Sequence, residues 1–473
     1  MLEYKIFIGG KWRTTPELFP VVNPYNDETI GHTYLATSND IEEAISSATF
    51  AFEKMRVLPA FQRADSLSKI CIGLKERLEE IATMITLESG KPITDSRVEV
   101  HRAIQTFQIA SEEAKRIDSA LLPLDHMPGS EGRLGLTRRV PIGVIIGIAP
   151  FNFPLNLVAH KIAPAIASGN VILLKPAPKT PLTALILAEI ISTVGLPDGA
   201  VQIFPTTNDR AEKMVCDSRV KMLSFTGSAR VGWSLKEKIA KKRTVLELGG
   251  NAGVIIEADA DLDWAARRCT VGGFSFAGQV CISVQRIYLQ EDCYQHFLDC
   301  FLPRVASLQL GDPLDDKTEV GSMIDLAASE RAEAWIHEAV SEGAILLAGG
   351  KRFGRQLMPT VLANTTYTMK VNCEEIFAPV VTVTPYRHFH EAIAAVNQSA
   401  YGLQAGLFTQ NIKEIFQGFD QIEVGGLIVN DVPTYRVDSM PYGGLKESGC
   451  GREGIRYAIH EMTDIKLLLL NTR

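Results

Sequence analysis

Cys281 is the first candidate for chemistry in this chain, because a thiolate can attack a carbonyl carbon. It closely follows Gly278, and a glycine lets the backbone approach a bound molecule closely. Earlier in the chain Glu247 lies between two leucines, just before a Gly-Gly turn. Burial there would raise the pKa of the carboxyl group, as a general base working near neutral pH requires. Two alternatives stay open: most buried cysteines are inert, and Glu247 could be a buried ion-pair partner.

Three further stretches directly follow predicted strands. Asn152 lies between two prolines, where a rigidly held amide could donate to an oxyanion or simply bond its own turn. Lys175 ends an apolar strand, where it could hold ribose hydroxyls or be solvated. Residues 225–232 open a helix, whose free N–H groups bind phosphate. Their GxxxxG spacing is not the dinucleotide fingerprint, so an ordinary strand-to-helix turn remains possible.

The elements that would position these side chains are short apolar strands separated by helices. The strands of the first series are predicted at residues 144–148, 171–174, 201–204, 221–225 and 244–248. This alternation predicts an α/β fold with a doubly wound parallel sheet. A helical region precedes it at about 40–114, and a second series runs from about 252 to 429. The tail at 464–471 is predicted to be a strand that pairs with another subunit.

Composition limits the class of protein. With 473 residues, the chain is long enough for two or three domains. A net charge of −7 and no lysine- or arginine-dense run argue against a nucleic-acid partner. No apolar run approaches the roughly 20 residues of a membrane helix, and the start lacks a signal-peptide pattern. We therefore expect no membrane contact. The eight cysteines form no CxxC pairs, which argues against a metal site and a disulfide framework, and we expect a cytoplasmic protein.

Six ordered motifs resemble those of the aldehyde dehydrogenase superfamily, and the resemblance covers nearly the whole chain. They lie at residues 150–156, 175–177, 225–232, 247–251, 278–281 and 374–377. The resemblance implies an aldehyde dehydrogenase-like fold of three parts. A dinucleotide-binding domain would comprise residues 1–119 and 140–250, and a catalytic domain residues 251–440. A small β oligomerisation arm would comprise residues 120–139 and 455–473, which implies a homodimer or homotetramer.

The same resemblance assigns roles to individual residues. Cys281 would attack the aldehyde, and Asn152 with the Cys281 N–H would stabilise the oxyanion. Hydride transfer would leave a thioester, which water activated by Glu247 would hydrolyse to the free acid. The residues similar to those that hold NAD or NADP are Ile148, Pro150, Lys175, Pro178, Phe225, Gly227, Ser228, Gly232, Leu248, Glu375 and Phe377. Pro178 replaces a glutamate of many NAD-preferring members, so the preference between NAD and NADP is left open.

The substrate is predicted from a resemblance to one branch of the superfamily. The amino-acid sequences of several motifs, including residues 430–438, are similar to those of lactaldehyde and small anionic aldehyde dehydrogenases. Candidate substrate residues are Arg102, Phe153, His160 and Arg286. If the cations converge near the thiol, they would bind an anionic tail. In the alternative, the arginines make structural ion pairs and His160 packs between elements.

Two other functions compete with aldehyde oxidation to the acid. One is acyl transfer from the thioester to coenzyme A. Members with that activity usually lack the glutamate equivalent to Glu247, so its presence argues against this function. The other is a non-catalytic protein derived from an enzyme, which the set of Cys281, Glu247, Asn152 and Lys175 disfavours.

Overall fold

The structure, a computed structural model, describes residues 2–472 and begins with small strands followed by four helices. These elements are β1 (Leu2–Glu3), β2 (Ile6–Ile8), β3 (Lys11–Arg13), β4 (Leu18–Val22), β5 (Thr29–Tyr34), α1 (Ser38–Met55), α2 (Ala60–Glu76), α3 (Leu78–Ser89) and α4 (Ile93–Glu113). The predicted helical region is therefore interrupted. Gly90 ends α3 in a left-handed conformation, and Pro92 precedes α4.

The next elements build the first parallel sheet. They are β6 (Ser119–Pro123), β7 (Arg133–Pro141), β8 (Val144–Ile148), α5 (Asn156–Ser168), β9 (Val171–Lys175), α6 (Leu182–Ser192), β10 (Val201–Ile203), α7 (Asn208–Cys216), β11 (Val220–Thr226), α8 (Ala229–Lys238) and β12 (Arg243–Glu247). The parallel strands lie in the order β12-β11-β8-β9-β10. The chain builds outward from β8 in one direction and then returns to build outward in the other. This is the predicted doubly wound arrangement, and its switch point lies between β8 and β11.

A second α/β unit follows. Its elements are β13 (Ala252–Ile256), α9 (Leu262–Phe274), β14 (Val284–Gln290), α10 (Tyr294–Ser307), α11 (Leu326–Ser341), β15 (Ile345–Ala348), β16 (Arg352–Phe353), β17 (Gln356–Leu357), β18 (Thr360–Ala363), α12 (Lys370–Cys373), β19 (Val380–Tyr386), α13 (Phe389–Asn397), β20 (Tyr401–Gly402), β21 (Gln404–Phe408), α14 (Ile412–Gln421) and β22 (Gly426–Val429). The sheet has the order β15-β18-β19-β14-β13-β21-β22. Within it, β15 runs antiparallel to β18, and the other neighbouring pairs are parallel.

The C-terminal elements return to earlier parts of the chain. They are β23 (Leu445–Lys446), β24 (Gly449–Cys450), α15 (Ile455–Glu461) and β25 (Thr463–Asn471). Strand β24 joins the first sheet beside β12. Strand β25 pairs antiparallel with β7, and β6 completes this three-stranded arm. The tail forms the predicted strand and pairs with β7 of the same chain along all nine residues, while its pairing with another subunit stays a prediction.

Burial divides the hydrophobic core in the way that the two sheets require. Strands β8, β9 and β13 are buried throughout, because helices cover both faces of each parallel sheet. The arm, by contrast, is exposed along most of β25. Within residues 2–472, none of the helices combines the length and the apolar character that crossing a bilayer requires.

Candidate active site

The carboxyl ends of β8, β9, β11 and β12 open onto one continuous cleft. One part has a volume of about 510 Å³ and is lined by Asn152, Glu247 and Cys281. The adjoining part, of about 700 Å³, contains Lys175 in its wall. Both parts share the turns after β8 and β11, including Pro150, Phe151, Thr226, Gly227 and Ser228. The cleft therefore lies at the switch point of the first sheet, where open α/β sheets bind ligands.

Cys281 reaches this cleft from a loop in an uncommon backbone conformation. Phe276, Ala277 and Gly278 have φ values of 47°, 52° and 67°, so three successive residues are left-handed. Cys281 itself is partly exposed, and its Sγ lies 3.2 Å from the hydroxyl oxygen of Tyr442. Burial of the sulfur raises the pKa of the thiol to about 12, while the Tyr442 hydrogen bond and the Arg436 charge oppose the rise. The loop thus presents the sulfur to the cavity that also contains Asn152.

Glu247 ends β12 and is only 3% exposed. Neither of its carboxyl oxygens has a hydrogen-bond partner within residues 2–472. Burial raises the pKa of Glu247 well above its usual range, and the neighbouring Glu453 adds to the rise, while Arg436 and Lys161 oppose it. An unpartnered carboxylate with a raised pKa beside a cavity is suited to accept a proton from water.

Asn152 ties the turn after β8 to the Cys281 loop. Its Nδ2 donates to the Gln279 carbonyl at 2.9 Å, which uses one of its two N–H bonds. Gln279 is in turn fixed by the Ile324 N–H, which donates to its Oε1 at 2.9 Å. The amide of Asn152 is therefore held rigidly and retains an N–H for another acceptor, as an oxyanion donor must.

Two ionisable residues of the predicted cofactor set are buried at the cleft. Lys175 is 4% exposed, and burial lowers the pKa of its ammonium group to about 8. Within residues 2–472 its Nζ has no side-chain or backbone partner. Glu375 accepts a hydrogen bond from the Gly250 N–H at 2.9 Å, and burial raises its pKa to about 7. Both residues keep hydrogen-bonding capacity for a polar ligand.

The remaining cofactor candidates lie in the walls of the same cleft, with one exception. Those in the Lys175 part are Ile148, Pro150, Pro178, Phe225, Gly227 and Ser228. Those in the Cys281 part are Leu248, Glu375 and Phe377, together with Gly227 and Ser228. Gly232 is not in the wall but packs against it, because a Cβ there would lie 2.4 Å from Leu248 Cδ2. It therefore allows α8 to pack against the segment after β12.

Two of the predicted substrate cations converge, but on a carboxylate. Arg102 Nη2 lies 2.7 Å from Asp438 Oδ1, and His160 Nε2 lies 2.8 Å from the same oxygen. Burial and the Arg436 charge lower the pKa of His160. Phe153 lies beside them, with its ring centroid 6.0 Å from the Arg102 guanidinium. The ion pair and packing correspond to the structural alternative for Arg102 and His160.

Arg286, the third candidate substrate cation, does not lie near the thiol. Its side chain is fully buried on β14 and donates to the carbonyls of Asn251, Ala395 and Val396. It lines neither part of the cleft. The reason is the strand alternation, which directs this side chain away from Cys281 and toward α13.

Four further residues around the reacting groups were not singled out from the sequence. Arg436 lies over the Tyr442 ring at 3.7 Å and pairs with Glu453 at 3.2 Å. Lys161 Nζ lies 3.3 Å from Glu453 and 2.7 Å from Thr226 Oγ1. Arg436 and Tyr442 lie within or just after the motif at 430–438, so the motif was a usable signal. Nothing in the local sequence separates Lys161 and Glu453 from ordinary surface charges.

Known proteins resemble this chain in both sequence and structure. The sequence model of the protein family described as "Aldehyde dehydrogenase family" matches residues 12–468. A 3-sulfolactaldehyde dehydrogenase of Priestia aryabhattai is 44% identical over 99% of this chain and 98% of its own. A lactaldehyde dehydrogenase of Methanococcus aeolicus is 39% identical over 99% of this chain and 100% of its own. These relatives confirm the branch that the motifs predicted.

Solved structures agree with the sequence relatives. Aldehyde dehydrogenase 21 from Physcomitrella patens, in complex with the reaction product succinate, has a TM-score of 0.98 at 43% identity, covering 100% of this chain and 98% of that one. Glyceraldehyde-3-phosphate dehydrogenase GapN from Methanocaldococcus jannaschii, complexed with NADP, has a TM-score of 0.93 at 38% identity, covering 97% and 99%. The predicted fold class is confirmed, and the chain belongs to the aldehyde dehydrogenase family.

Proposed function

We propose that this enzyme oxidises an aldehyde to the free carboxylic acid, with NAD or NADP, through a covalent intermediate on Cys281. The observation that carries the proposal is a single cavity lined by a thiol, a fixed amide and an unpartnered carboxyl group: Cys281, Asn152 and Glu247. Each has the chemistry that one step needs: nucleophilic attack, oxyanion stabilisation and activation of water.

The residues of the adjoining cavity fit a dinucleotide. Lys175 is a buried cation without a partner, which suits ribose hydroxyls, and Glu375 offers a carboxyl group for a second ribose. Gly227 and Ser228 precede α8, where free N–H groups favour a pyrophosphate. Pro178 lies in the cavity wall and has no carboxylate that would repel the 2′-phosphate of NADP. The cavity is therefore compatible with both NAD and NADP. When bound, the dinucleotide supplies the acceptor for hydride from the substrate carbon.

The protein groups divide the reaction into two halves. The Cys281 thiol loses its proton to water in the cleft, and the thiolate forms a C–S bond to the aldehyde carbon. Asn152 and the Cys281 N–H donate to the resulting oxyanion. After oxidation to the thioester, Glu247 takes a proton from a water molecule that adds to the carbonyl. The C–S bond then breaks, its electron pair returns to sulfur, and the acid is released.

The substrate class that the site supports best is a short hydroxy- or anionic aldehyde. Arg436 is buried over the ring of Tyr442, whose hydroxyl group contacts the nucleophile. Its Nε donates no hydrogen bond within residues 2–472 and lies 3.8 Å from Asp438 Oδ1. Arg102 is partly exposed beside Phe153, so it has donors to offer beyond its Asp438 pair. Guanidinium groups bind carboxylate and sulfonate tails by charge-assisted hydrogen bonds, which agrees with the substrates named for the relatives.

Release of the free acid is favoured over transfer to coenzyme A. A coenzyme A-acylating enzyme needs no base for water. The carboxyl group of Glu247 is nevertheless kept in the cavity wall without a hydrogen-bond partner among residues 2–472, which costs free energy but suits a base for water.

A steady-state comparison tests the proposed function. NAD and NADP are each assayed with about ten short aldehydes, neutral and acidic, with and without coenzyme A. We expect NAD(P)H and free acid without coenzyme A, with the highest kcat/KM for an anionic or hydroxylated aldehyde, and none with Cys281→Ala. Equal kcat/KM for propanal and for acidic aldehydes of similar size would remove the anionic substrate, and strict dependence on coenzyme A would remove hydrolysis.

A further inference from the structure

Tyr442 places a phenolic hydroxyl against the reactive sulfur. Its oxygen lies 3.2 Å from Cys281 Sγ, and the thiol is the hydroxyl's one hydrogen-bond partner among residues 2–472. The residue is 4% exposed. Its backbone is fixed by paired hydrogen bonds with Glu453. The contact therefore joins two well-anchored groups.

The ring of Tyr442 is also fixed from its face. The Arg436 guanidinium lies 3.7 Å from the ring centroid and is itself anchored on Glu453. A cation over an aromatic ring attracts its electron density, which makes the attached hydroxyl a stronger hydrogen-bond donor. Arg436 thus acts on the sulfur through the ring as well as by its charge.

We propose that Tyr442 is a further catalytic residue, which keeps its proton and donates a hydrogen bond to the Cys281 thiolate during attack and again on release. Its role in turnover rests on the proposed function; its contact with the sulfur does not. No bond to the phenolic hydrogen breaks in either step. The thiol proton goes to water at attack, and on thioester cleavage the electron pair of the C–S bond returns to the sulfur that the hydroxyl faces.

The charges around the sulfur explain why such a donor is needed. Burial disfavours the thiolate most strongly, and the carboxyl groups of Glu375 and Glu247 disfavour it further. Arg436 and Tyr442 favour it, and of these only the Tyr442 hydroxyl makes a direct contact. Burial also raises the pKa of Tyr442 well above its usual range, so the phenol stays protonated.

The test measures the thiol itself. Tyr442→Phe removes the hydroxyl and keeps the ring beneath Arg436. Alkylation of Cys281 by iodoacetamide is followed by peptide mass spectrometry from about pH 6 to 10, without aldehyde or dinucleotide. We expect alkylation to slow about tenfold throughout this pH range, where the thiolate is the minor form, as loss of one hydrogen bond to a charged group implies. We also expect kcat to fall while KM for the dinucleotide stays constant.

Tyr386→Phe is the matched control, because it removes another buried phenolic hydroxyl, which contacts Glu257 at 2.7 Å away from the cleft. It should leave both the alkylation profile and kcat unchanged. An alkylation profile of Tyr442→Phe identical to that of the unmodified protein would overturn the proposal, whatever happens to turnover. A protein that oxidised no aldehyde but showed slower alkylation in Tyr442→Phe would overturn the proposed function and support the assignment of Tyr442 to the thiolate.

Discussion

Glu247 and Lys175 are ionisable residues whose surroundings shift their protonation in opposite directions. Burial raises the pKa of the carboxyl group and lowers that of the ammonium group, because a buried site disfavours either charge. Neither carboxyl oxygen of Glu247 has a hydrogen-bond partner within residues 2–472, and burial alone accounts for the lowered pKa of Lys175. At the scale of the residue, the cleft therefore contains a ready proton acceptor and a cation without a counterion.

Replacing Glu247 should separate the two halves of the reaction. In Glu247→Gln we expect a burst of NAD(P)H followed by slow turnover, since the amide cannot take a proton from water and the thioester accumulates. A loss of about 10²- to 10⁴-fold in the steady-state rate is the scale of general-base catalysis. Stopped-flow absorbance measures the burst. Glu257→Gln serves as the control away from the cleft, and a variant without a burst would contradict the assignment.

Lys175 should make dinucleotide binding sensitive to alkaline pH. Because burial lowers its pKa to about 8, Lys175 is protonated below that pH and loses its charge above it. We expect kcat/KM for the dinucleotide to fall as pH rises through about 8, while the aldehyde is saturating. Lys175→Arg retains its charge at these pH values, so its profile should stay flat there even if its overall rate is lower. A wild-type profile without this fall would contradict the role of Lys175.

At the scale of the elements, α4 holds the loops that carry the two reacting groups. Glu99 Oε1 accepts from the Leu155 and Asn156 N–H groups at 2.9 and 3.0 Å, which caps α5 just after the Asn152 turn. One turn earlier, Asp95 Oδ2 accepts from the Phe276 N–H at 3.3 Å, where the left-handed loop begins. A single helix therefore sets the position of the Asn152 turn relative to the Cys281 loop.

Gly278 is the position where this loop tolerates no side chain. Its φ is +67°, and a Cβ would lie 2.2 Å from the Ala378 carbonyl oxygen. We expect Gly278→Ala to displace Cys281 and to lower kcat about 100-fold, the scale of a 1 Å misplacement. Gly354→Ala, with φ +60° and open space around its Cβ, isolates the conformational cost alone. Steady-state kinetics and thermal unfolding of both variants measure the difference, and equal effects on kcat would contradict the steric explanation.

At the scale of the whole molecule, the arm exposes an unusual amount of apolar surface. Ile465, Leu467, Leu468, Leu469 and Leu470 on β25 are each at least 40% exposed, on both faces of the strand. Contiguous apolar surface of this kind marks an interaction site, and within residues 2–472 no strand lies beside the second edge of β25. We propose that the arm mediates a homodimer or homotetramer.

Charging one face of the arm should dissociate the assembly. We expect Leu467→Lys with Leu469→Lys to reduce the particle to the monomer mass of 51.9 kDa, since unpaired charges in an interface lose their hydration. The control is Phe50→Lys, which replaces an exposed aromatic residue on α1 and should leave the mass unchanged. Light scattering after size exclusion measures both. A monomeric wild-type protein would contradict the proposed assembly.

The parallel α/β architecture, the family and the order of the site motifs could be predicted from the amino-acid sequence. These depend on local patterns: apolar strands that alternate with helices, and short stretches such as 247–251 and 278–281. The positions of Cys281, Glu247, Asn152 and Lys175 near strand ends or in loops could be read in the same way. The helical region breaks into four helices, at Gly90 and Pro92 among other points, and both residue types are local signals of a helix end.

The long-range partners of each side chain could be seen only in the folded protein. Arg286 and Arg436 both lie near sequence motifs, but their surroundings differ. Arg286 donates to backbone carbonyls inside the sheet that contains β14. Arg436 lies over the ring of Tyr442, whose hydroxyl group contacts Cys281. The partner of the tail, β7, was equally beyond local patterns. The physical reason is that hydrogen bonds and ion pairs between residues far apart in the chain depend on packing, which no local periodicity encodes.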